Sequence, residues 1–285
     1  MKPFIDRKSP NQQLSFNQLK VAFEKAELKE NVMKRLLELL VDFDDNYTNL
    51  AYLVSDQNPY TIKYVRFDED YSIIEQIEFE GSIFEQYADI YAYLEKYKKD
   101  YPSYIFREAI GNAIIHRDYS YLASTIIHLY TDHLEVTSIG GLIDGFKSED
   151  VLNGISITRN KKLADIFRIM GLSEGFGMGI KRIQSVYKNY DKTIRIQCSY
   201  NAFKIIIPDI HTCKEVIDRR ILTNKEKMIL NLLESEGIVT DLQLQAKLDI
   251  KQSRSYLLTK QLSEKGYIEI LGKGSTRRYK IKEED

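Results

Sequence analysis

The sequence predicts an α+β protein in two parts, and three observations carry that prediction. From Ser15 to Ile207, segments that alternate apolar and polar residues are interleaved with segments of helical spacing, which is typical of a two-layer α/β sandwich. The composition changes over Pro208–Thr212. Beyond that point, three short helical segments precede a hairpin rich in basic residues. A length of 285 residues is enough for about two domains.

Composition and charge exclude several classes of protein. The formal net charge is −1 and 43% of the residues are hydrophobic, which indicates a globular chain with a sizeable core. No apolar stretch approaches the roughly 20 residues that cross a membrane, and Met1–Arg7 lacks the apolar run of a signal peptide. Cys198 and Cys213 do not have the spacing of a metal site or a disulfide framework. We therefore expect reduced thiols, a cytoplasmic location and no membrane partner.

The first hundred residues predict an extension of helices and strands that packs on the next domain. Helical spacing predicts four helices, over 16–26, 30–40, 49–55 and 82–94. Ser15 is a suitable N-cap for the first of them. Between the third and fourth helices, 61–67 and 72–79 alternate like two paired strands.

The segment from Phe106 to Tyr119 predicts a helix with two different faces. Its apolar residues recur at the three-and-four spacing of a buried stripe. Glu108 and Asn112 lie one turn apart on another face, where side chains four residues apart are neighbours. A functional face and a face that is only solvated both fit this segment when it is considered alone.

The next stretch predicts more strands and a glycine-rich loop. Thr125–Tyr130 and His133–Thr137 form a hairpin, which places Gly140 and Gly141 at the end of a strand. Short helices over 148–152 and 161–170 and a strand pair over 194–198 and 202–207 complete this part. In Gly175–Ile180, glycines alternate ahead of a helix, and the backbone N–H groups of such a helix start attract phosphate.

Three common nucleotide-binding interpretations are excluded by spacing. The glycine loop is not the G-x-G-x-x-G of dinucleotide-binding folds, and no G-x-x-x-x-G-K-[ST] loop is present. His116–Asp118 matches part of a protein-kinase catalytic loop. Ala123 stands where a kinase has asparagine, and no D-F-G follows, so the kinase interpretation is rejected.

Taken in order, these motifs resemble one family. The segments that carry the resemblance are Arg107–Tyr119, Gly140–Leu142, Thr158–Asn160, Leu163–Ala164, Gly171–Leu172 and Gly175–Ile180. They are similar to the RecG-related transcriptional regulators, which have a divergent ATPase domain of the gyrase, chaperone, histidine-kinase and MutL (GHKL) superfamily. The resemblance covers roughly residues 10–210 and implies a GHKL-like two-layer sandwich that binds ATP and Mg²⁺. The usual N-terminal Schlafen-type AlbA domain of that family is absent from these 285 residues.

The resemblance also implies a role for each residue of the site. Glu108 corresponds to the glutamate that activates water, and Asn112 corresponds to the asparagine that binds Mg²⁺. Gly175, Gly177 and Gly179 correspond to the glycine loop that closes over the phosphates.

One position departs from the superfamily pattern. Active members have an aspartate before their glycine pair, and it accepts the amino group of adenine, whereas this chain has Ser138 before Gly140 and Gly141. A hydrogen bond to a charged group contributes roughly 1.5–3 kcal/mol, against about 1 kcal/mol for a neutral one. The sequence therefore predicts weak or altered nucleotide binding and leaves hydrolysis open. Arg159 is a candidate phosphate contact, with a surface salt bridge as the alternative.

The sequence of the C-terminal part predicts a DNA-binding domain. Residues 209–222 are interpreted as a linker, and 223–285 resemble a winged helix-turn-helix in which Thr223 and Thr240 cap the first two helices. Its third helix, over 251–265, would enter the major groove while the hairpin contacts phosphates. The candidate DNA contacts are Lys251, Gln252, Ser253, Arg254, Ser255, Lys273, Arg277 and Arg278. The alternative is a winged helix that serves dimerisation or protein contact.

These predictions combine into one functional hypothesis. The chain is a DNA-binding transcriptional regulator whose GHKL-like domain, over 101–208, binds a nucleotide such as ATP or another small-molecule effector. It binds double-stranded DNA, and we expect a homodimer because such readers meet two half-sites. One alternative is an ATP-hydrolysing enzyme of DNA metabolism, and another is a degenerate pocket that serves only as a dimerisation scaffold.

Overall fold

The computed structural model of the protein describes residues 2–97, 100–173, 178–214 and 222–282. The chain divides into two compact units, 1–214 and 215–285, and each has its own hydrophobic core. In the described part of the chain, no helix has the length and apolar character needed to cross a membrane. Half of the predicted linker 209–222, namely 215–221, lies outside the described residues, and the linker stays a prediction.

The larger unit is built from helices and strands at the positions that the sequence pattern predicts. Its helices are α1 (Asn17–Lys25), α2 (Glu30–Glu38), α3 (Asn49–Val54), α4 (Ile83–Leu94), α5 (Ser103–Ile115), α6 (Ser148–Leu152), α7 (Lys161–Ile169) and α8 (Gly179–Val186). Its strands are β1 (Ile62–Phe67), β2 (Ile73–Phe79), β3 (Thr125–Leu129), β4 (His133–Ile139), β5 (Arg195–Cys198) and β6 (Ala202–Pro208).

These strands form one mixed sheet in the described residues, in the order β2-β1-β3-β4-β6-β5. β1 runs parallel to β3, and the other neighbouring pairs are antiparallel. Burial alternates along β3 and β4, so one face of the sheet is in the core and the other is partly exposed. The predicted α+β class is therefore confirmed. Strands from before and after residue 100 belong to this one sheet. The domain boundary that the sequence predicts at residue 100 stays a prediction.

Helix α5 lies at the centre of the larger unit. The stripe predicted to be buried is buried, from Phe106 through Ala109 to Ile114. The helix contacts β4 and the helices α4, α7 and α8. Since full burial of a large apolar side chain contributes roughly 1.5–3 kcal/mol, this stripe fixes the orientation of α5. The polar residues of α5 consequently point in a defined direction.

The predicted cap of α1 is wrong. Ser15 does not cap the helix, because its Oγ donates to the Asp56 carboxylate at 2.8 Å. Asp56 instead accepts the backbone N–H groups of Asn17 and Gln18, each at 3.0 Å. Partial burial opposes ionisation of Asp56, but these hydrogen bonds outweigh it and lower the pKa of the carboxyl group. The start of α1 is thus stabilised by a residue from beyond α3.

The smaller unit contains three α-helices, a short 3₁₀ helix (Gly274–Thr276) and a three-stranded sheet in its described residues. Its elements are α9 (Asn224–Glu236), β7 (Val239–Thr240), α10 (Asp241–Leu248), α11 (Gln252–Glu264), β8 (Ile268–Leu271) and β9 (Arg278–Ile281), with the sheet order β7-β9-β8. Thr223 and Thr240 cap α9 and α10 through reciprocal capping boxes, as the sequence predicts. The assignment of this unit to the winged helix-turn-helix class stays a prediction.

Candidate functional site

A cavity of about 340 Å³ lies in the larger unit, between α5, the end of β4, α7 and the start of α8. Seven predicted site residues from separate stretches of the chain line it: Glu108, Asn112, Ser138, Gly140, Gly141, Arg159 and Gly179. Gly175 and Gly177 lie outside the described residues. The structure therefore brings the described candidates to one place, while their roles stay predictions.

Helix α5 supplies the polar wall of the cavity. Glu108, Asn112 and His116 follow one another at intervals of one turn, and all three line the cavity. The opposite face of α5 is held in the core, so the helix cannot rotate to move these side chains elsewhere. The predicted second face of this helix is thus directed at the cavity.

The start of α8 lies directly against Glu108. A Cβ atom at Gly179 would stand 2.1 Å from Glu108 Oε2 and 3.5 Å from Asn112 Nδ2, so the glycine permits this approach. The N-cap residue Met178 makes no side-chain cap bond, and the first turn of α8 has no acidic residue. Since a helix N-terminus carries a partial positive charge, the carboxylate of Glu108 is favourably placed there.

Ser138, where the resemblance leads one to expect an aspartate, presents a neutral acceptor at the wall of the cavity. It is buried, and its hydroxyl donates to the carbonyl oxygen of Ala113 at 2.7 Å. A hydroxyl with its proton committed in this way keeps only lone pairs for other partners. Ser138 can therefore accept a hydrogen bond from a ligand but brings no charge to it.

The glycine pair at the end of β4 is required by the packing of the chain itself. Gly140 has φ +97°, and a Cβ atom there would lie 2.8 Å from the Cβ of Asp118. At Gly141 a Cβ atom would lie 2.2 Å from the carbonyl oxygen of Ser199. Neither position accepts a side chain without movement of its neighbours.

Arg159 borders the cavity and is held by two groups of the protein. Its Nη1 donates to Asp118 Oδ2 at 3.1 Å, and its Nη2 donates to the carbonyl oxygen of Gly141 at 2.7 Å. The salt bridge that the sequence left as an alternative is therefore present. A phosphate at Arg159 would have to share the guanidinium with Asp118.

The three residues of His116–Asp118, which match part of a kinase loop in sequence, lie in three different environments. Arg117 is buried against the rings of Tyr60 and Tyr119, with its Cζ 4.9 and 5.2 Å from their centroids. Asp118 holds Arg159, and His116 lines the cavity. Burial lowers the pKa of His116, and this effect outweighs a hydrogen bond with the backbone of Ile157, which raises it. The ring is therefore neutral at neutral pH.

Sequence reasoning missed several residues of the cavity wall. Besides His116, the face of α7 that carries Lys161, Asp165 and Arg168 lines the cavity. Their intervals of three and four residues were the available signal, because such residues share one helix face. Asp165 pairs with Arg168 at 3.8 Å, whereas Lys161 makes no salt bridge with a described residue and so is available to an anion.

The mouth of the cavity is apolar. Ile143, Ile155, Ile157 and Met178 line it and are among the exposed large hydrophobic residues of the chain. Pockets for small molecules typically combine such apolar walls with a few fixed polar groups. A ligand with a flat apolar part and an anionic part would fit a cavity that has an apolar mouth and polar groups in its wall.

The oxygen atoms at the cavity fit Mg²⁺ carried by a phosphate ligand. In the described residues, no group of three or more His, Cys, Asp or Glu side chains is placed to hold a metal ion. Mg²⁺ commonly keeps several waters and takes one or two protein oxygens together with substrate phosphates. Glu108 and Asn112 can supply those oxygens.

The predicted DNA contacts lie on exposed parts of the smaller unit, with two exceptions. The exposed residues are Lys251, Gln252, Ser253, Arg254, Lys273 and Arg278. Arg277 is half-buried, with its Cζ 4.8 Å from the ring centroid of Tyr256. Ser255 is fully buried and donates to Asp241 Oδ1 at 2.6 Å, so the prediction that it faces DNA is wrong.

A family comparison characterises part of the larger unit. Residues 123–207 match a family model described as "Putative ATP-dependent DNA helicase recG C-terminal". The match covers less than a third of the 285 residues. It contains the candidate residues from Ser138 to Gly179 and leaves out Glu108 and Asn112. The predicted resemblance to a RecG-related ATPase-like domain is therefore confirmed for this stretch.

The fold as a whole is similar to solved structures. The DIP2311 protein from Corynebacterium diphtheriae matches with a TM-score of 0.63 and 16% sequence identity, covering 99% of this chain and 70% of that chain. At this identity the likeness shows the fold alone. No curated protein sequence matches the chain.

Proposed function

We propose that the larger unit binds a nucleoside triphosphate, with ATP as the first candidate, together with Mg²⁺. The observation that carries this proposal is the meeting of Glu108, Asn112 and Gly179 at the wall of one cavity. An acid, an amide and a helix start are the groups that a triphosphate and its cation need. The ATPase-like family match of 123–207 supports it independently.

In this proposal, different residues of the cavity contact different parts of the ligand. Asn112 supplies an oxygen to Mg²⁺, which neutralises phosphate charge when bound. Lys161 and the backbone N–H groups at the start of α8 bind phosphate oxygens. Ser138 accepts a hydrogen bond from the base, and the isoleucines at the cavity mouth contact its faces.

We further propose that the smaller unit binds double-stranded DNA, which makes the chain a nucleotide-responsive transcriptional regulator. The exposed polar start of α11 suits contact with base edges, since Arg can reach guanine and Gln can reach adenine. Lys273 and Arg278 in the β8–β9 hairpin suit contact with phosphates. A homodimer would place two such units on two half-sites.

Calorimetric titration with ATP and Mg²⁺ tests nucleotide binding. We expect saturable binding to the full chain and at least about tenfold weaker binding to Asn112→Ala, because a ligand of the cation is lost. The matched control is Asn189→Ala, which removes an exposed amide that does not line the cavity. Equal affinity in all three proteins, or no binding to any of them, would refute the assignment of the site.

An ATP-hydrolysing enzyme is the second candidate function, favoured by the presence of Glu108 in the cavity. In that case Glu108 accepts the proton of the attacking water. Steady phosphate release that is abolished in Glu108→Gln, with nucleotide binding retained, would establish the enzyme. If the titration shows no binding while DNA binding is intact, the larger unit is a scaffold.

A further inference from the structure

The backbone that leaves β4 is held by hydrogen bonds from two other parts of the chain. Gly140 donates its N–H to the carbonyl oxygen of Asn201 at 2.8 Å, and Gly141 donates to that of Tyr200 at 3.1 Å. The carbonyl oxygen of Gly141 accepts from Arg159 Nη2 at 2.7 Å. Glycine has more backbone freedom than any other residue. A pair of glycines therefore keeps one conformation only when its surroundings impose it.

Arg159 is itself oriented by Asp118. Its Nη1 donates to Asp118 Oδ2 at 3.1 Å, and the two side chains are only 26% and 25% exposed. The other carboxylate oxygen accepts from the backbone N–H and the hydroxyl of Ser120, at 3.0 and 2.6 Å. The backbone N–H of Asp118 donates to the carbonyl oxygen of Ile139 at 2.8 Å. Asp118 thus has partners that fix its direction independently of Arg159.

The Asp118–Arg159 ion pair packs directly on the first glycine. A Cβ atom at Gly140 would lie 2.8 Å from Asp118 Cβ and 3.3 Å from Arg159 Cζ. Gly141 and Leu142, which follow, line the cavity. The ion pair is therefore placed to set the direction in which the chain leaves β4 and becomes cavity wall.

The same geometry disfavours Arg159 as a phosphate contact. The two terminal nitrogens of its guanidinium serve Asp118 and the carbonyl oxygen of Gly141. A phosphate that approached the guanidinium would also approach the Asp118 carboxylate, and like charges repel. Lys161 lines the same cavity and makes no salt bridge with a described residue, so it is the better placed cation for phosphate.

We propose that Arg159 and Asp118 are positioning residues of the nucleotide site, which hold the backbone of 140–142 where the base binds, and that Arg159 does not contact phosphate. This role rests on the proposed binding of a nucleotide by the larger unit. The stretch that they hold begins two residues after Ser138, which accepts a hydrogen bond from the base in that proposal. Loss of the ion pair should therefore weaken binding of every ligand that carries the base, whatever its number of phosphates.

Variants of Arg159 should remain folded, because the next residue anchors the same stretch independently. Asn160 is buried, and its Nδ2 donates to the carbonyl oxygens of Ile115 and Arg117, at 2.9 and 2.7 Å. These bonds connect the start of α7 to the end of α5 without Arg159. Thermal unfolding in the absence of ligand checks the folding of each variant.

Competition of adenosine and of ATP against a fluorescent ATP analogue, with Mg²⁺ present, separates positioning from phosphate binding. For Arg159→Ala we expect about tenfold weaker binding of both ligands, the effect that loss of one hydrogen bond to a charged group produces. A loss for ATP that greatly exceeds the loss for adenosine would show a phosphate contact and refute the positioning role.

Arg159→Lys makes the distinction sharper. Lysine keeps the positive charge and can bind phosphate as a point charge, but it lacks the planar fork that reaches a carboxylate and a carbonyl oxygen together. A positioning role predicts that Arg159→Lys binds both ligands as weakly as Arg159→Ala does. Recovery of ATP affinity in Arg159→Lys would overturn the proposal.

Substitution of Asp118 gives results of opposite sign for the two roles of Arg159. Asp118→Ala should weaken binding of both ligands if the ion pair positions the wall. It should strengthen ATP binding if Arg159 contacts phosphate, because a competing carboxylate is gone. Asp118→Asn keeps one acceptor oxygen and should bind both ligands more tightly than Asp118→Ala. The control is Arg195→Ala, which removes an exposed arginine that does not line the cavity and should change neither affinity.

Amide hydrogen exchange without ligand keeps failure of the positioning role distinct from failure of the proposed function. Arg159→Ala and Asp118→Ala should both speed exchange in peptides that cover 139–146 and leave the smaller unit unchanged. Unchanged exchange over 139–146 would contradict the positioning role even if a nucleotide binds. If the wild-type protein binds neither the analogue nor ATP, the proposed function is refuted, and the role of the ion pair in binding is refuted with it.

Discussion

Gly179 is the residue at which the cavity is most tightly constrained. An alanine there would place its Cβ atom against the carboxylate of Glu108. Because that carboxylate ends a flexible side chain, Gly179→Ala should displace it without unfolding the protein, at a cost of about 1 kcal/mol. In the Glu108→Ala background the same change should cost nothing. Chemical unfolding of the four proteins of this cycle measures the coupling free energy.

Gly111→Ala is the control for this cycle. Gly111 lies inside α5, and an added Cβ atom would meet nothing within 4 Å. Alanine in a helix is more stable than glycine by roughly 0.5–1 kcal/mol, so this variant should be neutral or stabilising in both backgrounds. A loss of stability at Gly179 that is independent of Glu108 would contradict the proposed contact.

Glu226 makes the stability of the smaller unit depend on pH. Its buried carboxylate accepts hydrogen bonds from Lys265 at 2.7 Å and from the Thr223 hydroxyl at 2.8 Å. Burial opposes ionisation, but these bonds outweigh it and hold the pKa of Glu226 below its usual value of 4.5. A depressed pKa means that the stabilisation is present above about pH 4.5 and is lost as pH falls further.

Glu226→Gln should therefore destabilise the smaller unit by about 2 kcal/mol at neutral pH, since a hydrogen bond to a charged group is lost. Thermal unfolding followed between pH 3 and 7 should show the difference from wild type shrinking below pH 4.5, as the wild-type carboxyl group also becomes neutral. Glu264→Gln, in an exposed pair with Lys260, is the control and should change stability by less than about 0.5 kcal/mol. A similar effect of both substitutions would contradict the role of burial.

At the scale of elements, α11 and the β8–β9 hairpin are expected to bind DNA through a small number of phosphates. The logarithm of the binding constant should fall with the logarithm of salt concentration at a slope of about −3 to −6, because each phosphate contact contributes about −0.9. Arg278→Ala should reduce the slope by about one contact. Fluorescence anisotropy at several salt concentrations measures it.

Lys29→Ala removes the same charge from the larger unit and is the control for Arg278→Ala. Lys29 is exposed next to α2, and its loss should leave the slope unchanged. A slope near zero in the wild-type protein would remove the proposed DNA interface. A change of slope as large in Lys29→Ala as in Arg278→Ala would show that only overall charge matters.

The positions of the elements were predictable because their signal is local. Hydrophobic periodicity and capping residues gave the helices and strands of both units to within a few residues, as at α5 and at the capping boxes of Thr223 and Thr240. The cap of α1 was not predictable, since Asp56 reaches it from a distant part of the chain. Ser255 was misjudged because the direction of a helical side chain depends on what the helix packs against.

The candidate site was predictable only where residues of one helix carry a pattern. Glu108 and Asn112 lie one turn apart on α5, so their spacing put them on one face, but only the resemblance suggested a function for that face. The spacing of Lys161 and Arg168 shows that they share one face of α7, but the direction of that face depends on how α7 packs against α5, which no local pattern specifies. The resemblance joined the distant motifs, and the packing of β4 and α8 against α5 places those described at one cavity.

At the scale of the whole molecule, two separate cores predict two unfolding events. Residues 1–214 and 215–285 form compact units with independent hydrophobic clusters. A ligand that binds only the native larger unit stabilises that unit by about 2.7 kcal/mol when its concentration is a hundred times the dissociation constant. For a unit of this size, the stabilisation raises the midpoint by roughly 5–10 °C. Differential scanning calorimetry should therefore show one transition that moves with ATP and Mg²⁺ and one that does not.

A short DNA duplex should move the other transition, the one that does not respond to ATP and Mg²⁺, because DNA binds and stabilises only the smaller unit. Asn112→Ala should abolish the shift caused by ATP and Mg²⁺ while leaving the shift caused by DNA. A nucleotide that moves both transitions equally would contradict independent units, because stabilisation would then be shared through contacts between them. A nucleotide that moves neither transition would leave the larger unit as a scaffold, and the DNA response of the smaller unit would then carry the function alone.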